Sequence, residues 1–395
     1  MLSTAASGVA DTPAIQSIEP EPTAATAQWL SGASPFKAQL ADALSEAGVV
    51  RMSEQVLGPF SDLAGRIADA LYESVLPGAR TSSLHWPLLL LTVLLAVGFY
   101  VFRRGRGARG ADGCERRCGL VEYLLPARIY RHVSARVDVG LYLVDRALMP
   151  VWTVLFLGGL APLVERSTIR ALEATTGPGP AISVTPVWQF LYGLATLLII
   201  DMVFYFTHLF GHRARIGWIF HKVHHSAEVL TPLTRYREHF VEGILYAATV
   251  SIGAALSSGV FAYLFAGRIT QITIMNLGVL VFLFSLTANF RHYHVSLRFP
   301  RALERWLQSP GMHHVHHSRL PHHWGKNLGL VTSVWDRLCG TLYIGEPYEP
   351  TPWGLTESEQ ERYRSLSDNV RRPLVEAGQW IREVVSAGRA GTEDR

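Results

Sequence analysis

The chain has 395 residues, 49% of them hydrophobic and only 17% charged, with a mean hydropathy of +0.18. Soluble globular domains usually carry about 25% charged residues, so this composition argues against an ordinary soluble enzyme and for membrane segments. A formal net charge of +4 is too mild to suggest a nucleic-acid partner, and no such partner is expected.

Residues 1–34 are rich in Ala, Ser, Thr and Pro and read as a disordered lead-in without a cleavable signal peptide. Residues 35–84 have apolar positions at helical spacing broken at Gly58-Pro59, which predicts two amphipathic helices outside the cytoplasm. Five apolar stretches follow, at 85–102, 137–163, 183–207, 240–265 and 269–288. About 20 apolar residues cover ~30 Å of hydrocarbon, so each is expected to span a bilayer. The stretch 103–136 reads as a basic cytoplasmic linker opened by "RRGRGARG". Its Cys114 and Cys118 read as free thiols rather than a metal clip; the third cysteine is Cys339. Residues 356–395 predict a cytoplasmic amphipathic tail on the membrane surface, interrupted at Pro373.

Basic residues set the orientation. The segment 1–84 has four basic and nine acidic residues, whereas arginines follow the first, third and fifth stretches directly. The N-terminus is therefore expected outside and the histidine-rich exits on the cytoplasmic face. Of 36 basic residues only Lys37, Lys222 and Lys326 are lysine, a bias that suggests a GC-rich bacterial genome and a multi-pass protein of a bacterial inner membrane.

Fourteen of the sixteen histidines fall between positions 208 and 323. His85 and His132 stand apart and read as ordinary satisfied polar residues. His208 and His212 are i,i+4 and share a helical face. His221, His224 and His225 read HxxHH, a pattern repeated by His313, His316 and His317. His239 and His292 are single histidines at membrane edges. Ten candidate ligands exceed the needs of one zinc, and the carboxylate-rich pattern of soluble di-iron bundles is absent. Two metals, each held by four or five neutral imidazoles, use the whole set; iron, copper, nickel and zinc all suit imidazole. His314, His322 and His323 rank below these ten, and His294 lower still. Asp201 and Tyr205, near the His208 face, and Glu242, three residues after His239, are candidates to orient ligand histidines. Phe204, Phe206 and Trp218 sit where they could line a lipid entry or anchor the interface. A non-catalytic metal-binding or metal-transport protein is the rival reading.

The motifs "DMVFYFTHLFGH", "FHKVHHSAEVLTPLTRYREHFVE", "MHHVHHS" and "NLGLVTSVWDRLCGTLY" resemble the fatty acid hydroxylase and sterol desaturase superfamily of integral membrane non-haem di-iron oxygenases. The likeness covers roughly residues 120 to 355. It implies an all-α membrane protein whose cytoplasmic histidine-rich helical cap, within a catalytic domain over 137–355, holds two irons. His208, His212, His221, His224, His225, His313, His316 and His317 match the family's iron ligands, and His239 and His292 match positions where it also tends to place histidine. Leu209 and His294 depart from the pattern. The implied reaction is O2-dependent hydroxylation or desaturation of a bilayer lipid: a fatty acyl chain, a sterol-like ring or an aminolipid. No electron-transfer domain is visible, so a separate ferredoxin- or cytochrome-type donor is expected. Oligomeric state is not legible.

Overall fold

The computed structural model describes residues 86–106, 119–274, 277–346 and 351–393. The expected lead-in, the amphipathic pair before residue 85, His85, Cys114 and Cys118 lie outside the described residues. Eight helices matter below: α1 (Trp86–Arg106), α2 (Val133–Thr176), α3 (Pro186–Arg213), α4 (Arg215–His225), α5 (Phe240–Phe265), α6 (Val279–Ala288), α7 (Pro310–His316) and α8 (Leu366–Glu393).

Among the described residues three helices, α2, α3 and α5, are long and apolar enough to cross a membrane. Five were expected. In α1 the apolar part is the shorter Leu88–Phe102. The expected fifth span is not one helix: Thr273–Ile274 pairs with Leu277–Gly278 as a small antiparallel ribbon, and only the ten residues of α6 are helical. Ten residues rise about 15 Å, half of a ~30 Å hydrocarbon core. The preceding Ile269, Thr270, Ile272, Thr273 and Ile274 are β-branched, which disfavours helix and favours strand. Conversely, α2 runs 44 residues, well beyond the expected 137–163, because "ERSTIRALEATT" keeps helical propensity up to Gly177, where φ reaches +80°. A π-helical stretch, Thr153–Leu160, follows Pro150 and absorbs the backbone defect that proline introduces.

Small residues let the spans approach. A Cβ on Gly253 of α5 would meet Val203 and Ile199 of α3, and one on Gly259 would sit 2.9 Å from the Glu165 carbonyl of α2. Hydroxyl pairs bridge α3 to α5, Thr196 to Ser257 at 2.8 Å and Thr207 to Thr249 at 3.1 Å.

The cap is built on a sharp corner. Helix α3 ends at Arg213, Ala214 is extended, and α4 turns back. A Cβ on Gly217 would lie 2.4 Å from the Phe210 carbonyl, so only glycine permits the turn. Gly211 in turn gives space to the His221 ring. A second core joins Val137 and Leu141 of α2, Val223 of α4, Leu355 and Tyr363. Helix α8 closes over it without interruption; Pro373 lies inside the helix on its buried side, where the missing N–H affects one carbonyl only. Lys222 of α4 is buried and pairs with Glu376 of α8 at 2.7 Å.

Candidate metal centre

The histidines separate into two groups whose ring nitrogens lie within 4.8 Å of one another inside each group. The first contains His208, His212, His221, His225 and His316; the second contains His224, His292, His313 and His317. The i,i+4 pairs stay together: His208 with His212, His221 with His225, His313 with His317. The remaining histidine of each HxxHH crosses over, so α4 lends His224 to the second group and α7 lends His316 to the first. The groups adjoin through His225 and His317, ring centres 4.9 Å apart.

Hydrogen bonds fix the tautomers. A carbonyl only accepts, so His208 Nδ1–H donates to Leu328 at 2.8 Å, His316 Nδ1–H to Lys326 at 2.9 Å and His224 Nδ1–H to Arg237 at 3.2 Å. The Glu242 carboxyl lies 2.5 Å from His221 Nδ1 and, when ionised, accepts from it. Each Nε2 then carries a lone pair and no proton when the ring is neutral. Yet His221 Nε2 lies 3.1 Å from His208 Nε2, 3.0 Å from His212 Nε2 and 3.1 Å from His225 Nε2. His208 and His221 have no proton to share, so that contact is a convergence of lone pairs rather than a hydrogen bond. About 3.0 Å is also the edge between neighbouring nitrogens bound at right angles to one ion at ~2.1 Å. In the second group the Nε2–Nε2 distances run 2.9–3.3 Å. His316 Nε2 is buried with no protein partner. The donor set fits metal ions.

Charge state agrees. Burial first, and the crowding of neighbouring histidine rings next, holds His221, His225, His292, His313, His316 and His317 well below the usual histidine range; burial lowers His224 to about 3. These rings are neutral near pH 7, the form a metal requires.

Other expected residues lie elsewhere. His239 caps α5: its Nδ1 accepts from the Val241 N–H and its Nε2 donates to the Val370 carbonyl of α8, so it joins neither group. His314 donates to the Phe290 carbonyl and packs on Trp353; His323 lies against Tyr343 with His322 beside it; His294 donates to the Tyr123 carbonyl. Asp201 was expected to orient a histidine. Instead it accepts from the Val331 and Thr332 N–H groups and the Thr332 hydroxyl, because that loop passes closer to its carboxylate than any ring does. Tyr205 bonds Thr341 at 2.9 Å, not a histidine. Trp218 stands 5.6 Å from the His212 ring and Phe204 5.7 Å from His208, walling the first group, while Phe206 points outward.

Four supporting residues escaped the sequence reading. Asp336 accepts from the Leu328 and Gly329 N–H groups, and Asn327, at φ +56°, bonds the Met312 carbonyl, so together they shape the loop whose carbonyls hold His208 and His316. Arg237, 1% exposed, pairs with Asp138 at 2.9 Å and bonds Ser134 and Ser226, presenting its own carbonyl to His224. An acid within an apolar span was the signal that marked Asp201; applied to "RVDVG" it marks Asp138 as well.

Residues 193–341, which carry all nine grouped histidines, match the fatty acid hydroxylase family model. This segment belongs to the fatty acid hydroxylase superfamily. Relatives agree: alkylglycerol monooxygenase of Danio rerio is 29% identical over 36% of this chain and 28% of its own length. Ornithine lipid hydroxylase OlsE of Rhizobium tropici is 25% identical over 52% of this chain and 59% of its own. The alkylglycerol monooxygenase of Xenopus tropicalis is 26% identical over 41% and 32%. The chain thus spans between about a quarter and three-fifths of these relatives. No solved structure matches it.

Proposed function

We propose that this protein is a membrane-bound, O2-dependent oxygenase that hydroxylates an unactivated C–H bond of a lipid, with one iron in each imidazole group. The observation that carries this reading is the pair of adjoining groups, five and four neutral imidazoles, with ring nitrogens converging in each. When bound, the two irons supply the O2 activation that side chains alone lack. The chain's own contribution is orientation and exclusion of water. Leu328, Lys326 and Arg237 carbonyls and the Glu242 carboxylate aim four of the rings. Trp218 and Phe204 close one side of the first group with apolar surface.

The relatives are named for an alkylglycerol and an ornithine lipid, which supports a lipid substrate, here proposed as an alkylglycerol or an aminolipid. Hydroxylation is favoured over desaturation because those relatives are a monooxygenase and a hydroxylase. We further propose a multi-pass protein of the bacterial inner membrane, with the clusters on the cytoplasmic side and electrons delivered by a separate ferredoxin- or cytochrome-type protein.

Lipid extracts from cells with and without the gene test the reading. A lipid carrying one added oxygen atom, present only with the gene, and about two iron atoms per purified chain are expected. Zinc alone, with no oxygen consumption, supports a metal-binding or transport protein instead. A tag after Arg395 should report the cytoplasm.

A further inference from the structure

We propose that the outer half of α8 lies flat on the bilayer surface as an amphipathic anchor, while its inner half is a packing helix of the cap. The inner half buries Asn369, Pro373 and Ala377 against the protein. The same helical face continues as Ile381, Val384 and Val385, spaced i, i+3, i+4, yet these are 51%, 53% and 49% exposed. An apolar face that leaves the protein needs another apolar medium.

The tether of this half says which. Glu383 pairs with Arg215 at 3.0 Å, and Arg215 opens α4 immediately beyond the end of α3. Both partners are largely exposed, so the pair adds little stability; it reports position. Helix α3 presents Phe206 and Phe210 outward to within three residues of its last, Arg213. From Phe210 to Arg213 is about 4.5 Å of helix, and the two steps through the extended Ala214 to Arg215 add at most about 7 Å. Glu383 is therefore held at the depth where hydrocarbon gives way to headgroups. Arg213, Arg215 and Arg382 are at or within two residues of this pair in sequence, cations suited to anionic headgroups. Interfacial helices with this composition sink their apolar face about 5–10 Å below the headgroups. A second copy of the chain could also cover the stripe, but the tether at the span exit fits a lipid surface. The inference rests on α3 crossing the bilayer and is independent of the metal chemistry.

The full chain, with Cys114, Cys118 and Cys339 changed to Ser, is given one cysteine by Val385→Cys or, on the opposite face, by Gln379→Cys. Each is labelled with an environment-sensitive fluorophore in nanodiscs containing phosphatidylglycerol, with or without a lipid bearing a shallow spin label. The Val385 label should be quenched by that lipid at least about threefold more than the Gln379 label, with aqueous iodide giving the reverse order. Equal quenching at both positions overturns the proposal. So does a Val385 label reached by neither quencher but coupled to its counterpart on another copy, which would assign the stripe to a dimer. Val384→Cys replaces Val385→Cys if the latter elutes as aggregate.

Discussion

The two imidazole groups draw on the same two helices yet are held by different means. In the first, three of five rings have their outer nitrogen committed: His208 and His316 to loop carbonyls, His221 to Glu242. In the second, only His224 is tied this way, and the outer nitrogens of His292, His313 and His317 are buried without protein partners. Those three rings are placed through the main chain instead. His314 ties α7 to the Asn289–His292 turn through Phe290, and Asn327 holds Met312. The difference teaches that one site is specified side chain by side chain, whereas the other inherits its geometry from where two backbone segments meet. The first should answer to single outer substitutions; the second should answer mainly to changes in its backbone struts.

The largest effects come from the rings themselves. His221→Ala and His317→Ala should each abolish turnover and remove metal from one group, His221→Ala from the first and His317→Ala from the second; metal analysis with iron spectroscopy reads which. Retained activity in either variant ends the assignment of that ring.

Next come the outer partners. Glu242→Gln should weaken metal at the first group by about 10–100-fold and leave the second unchanged. Asp138→Asn, which strands Arg237, should cost about 3–5 kcal/mol of stability and act through His224 on the second. Metal titration and thermal unfolding in detergent separate the two, and a shared effect on both groups would erase the contrast drawn here.

A pH series on metal-free protein sharpens it further. Folded His224 titrates at about 3, against 6.5 for an unperturbed ring. Between those values the unfolded chain binds protons that the native one refuses, so stability falls as pH drops from 6.5 toward 3, by up to about 1.36 kcal/mol per pH unit for each such ring. Bound metal should lower the pH at which unfolding begins; an acid limb unchanged by metal would count against ligation.

The smallest effect is expected at His239. His239→Ala removes an N-cap and should cost about 0.5–2 kcal/mol with metal content intact. Loss of metal would return it to the ligand set.

What the sequence determined by itself is the local periodicity and its chemistry. The i,i+4 spacing of His208 and His212 already places both on one face, and the span over 240–265 has the limits of α5. The absence of any carboxylate-rich alternative pointed to imidazole. Local pattern was silent on anything closed by contacts over a hundred residues apart. Asp201 meets Thr332, His208 meets Leu328, and Lys222 meets Glu376 only after the chain has folded back. His239 and His292 look alike in sequence, each a lone histidine at a span edge, and diverge because one begins a helix whose N–H groups need a cap while the other ends a turn facing α7. Tertiary structure decided how each HxxHH is divided between the groups, since a helix face is wide enough for either outcome until the Gly217 corner sets α4 against α3. Spacing is a property of one helix; a metal site of this kind is a property of several, and their mutual placement is set by packing.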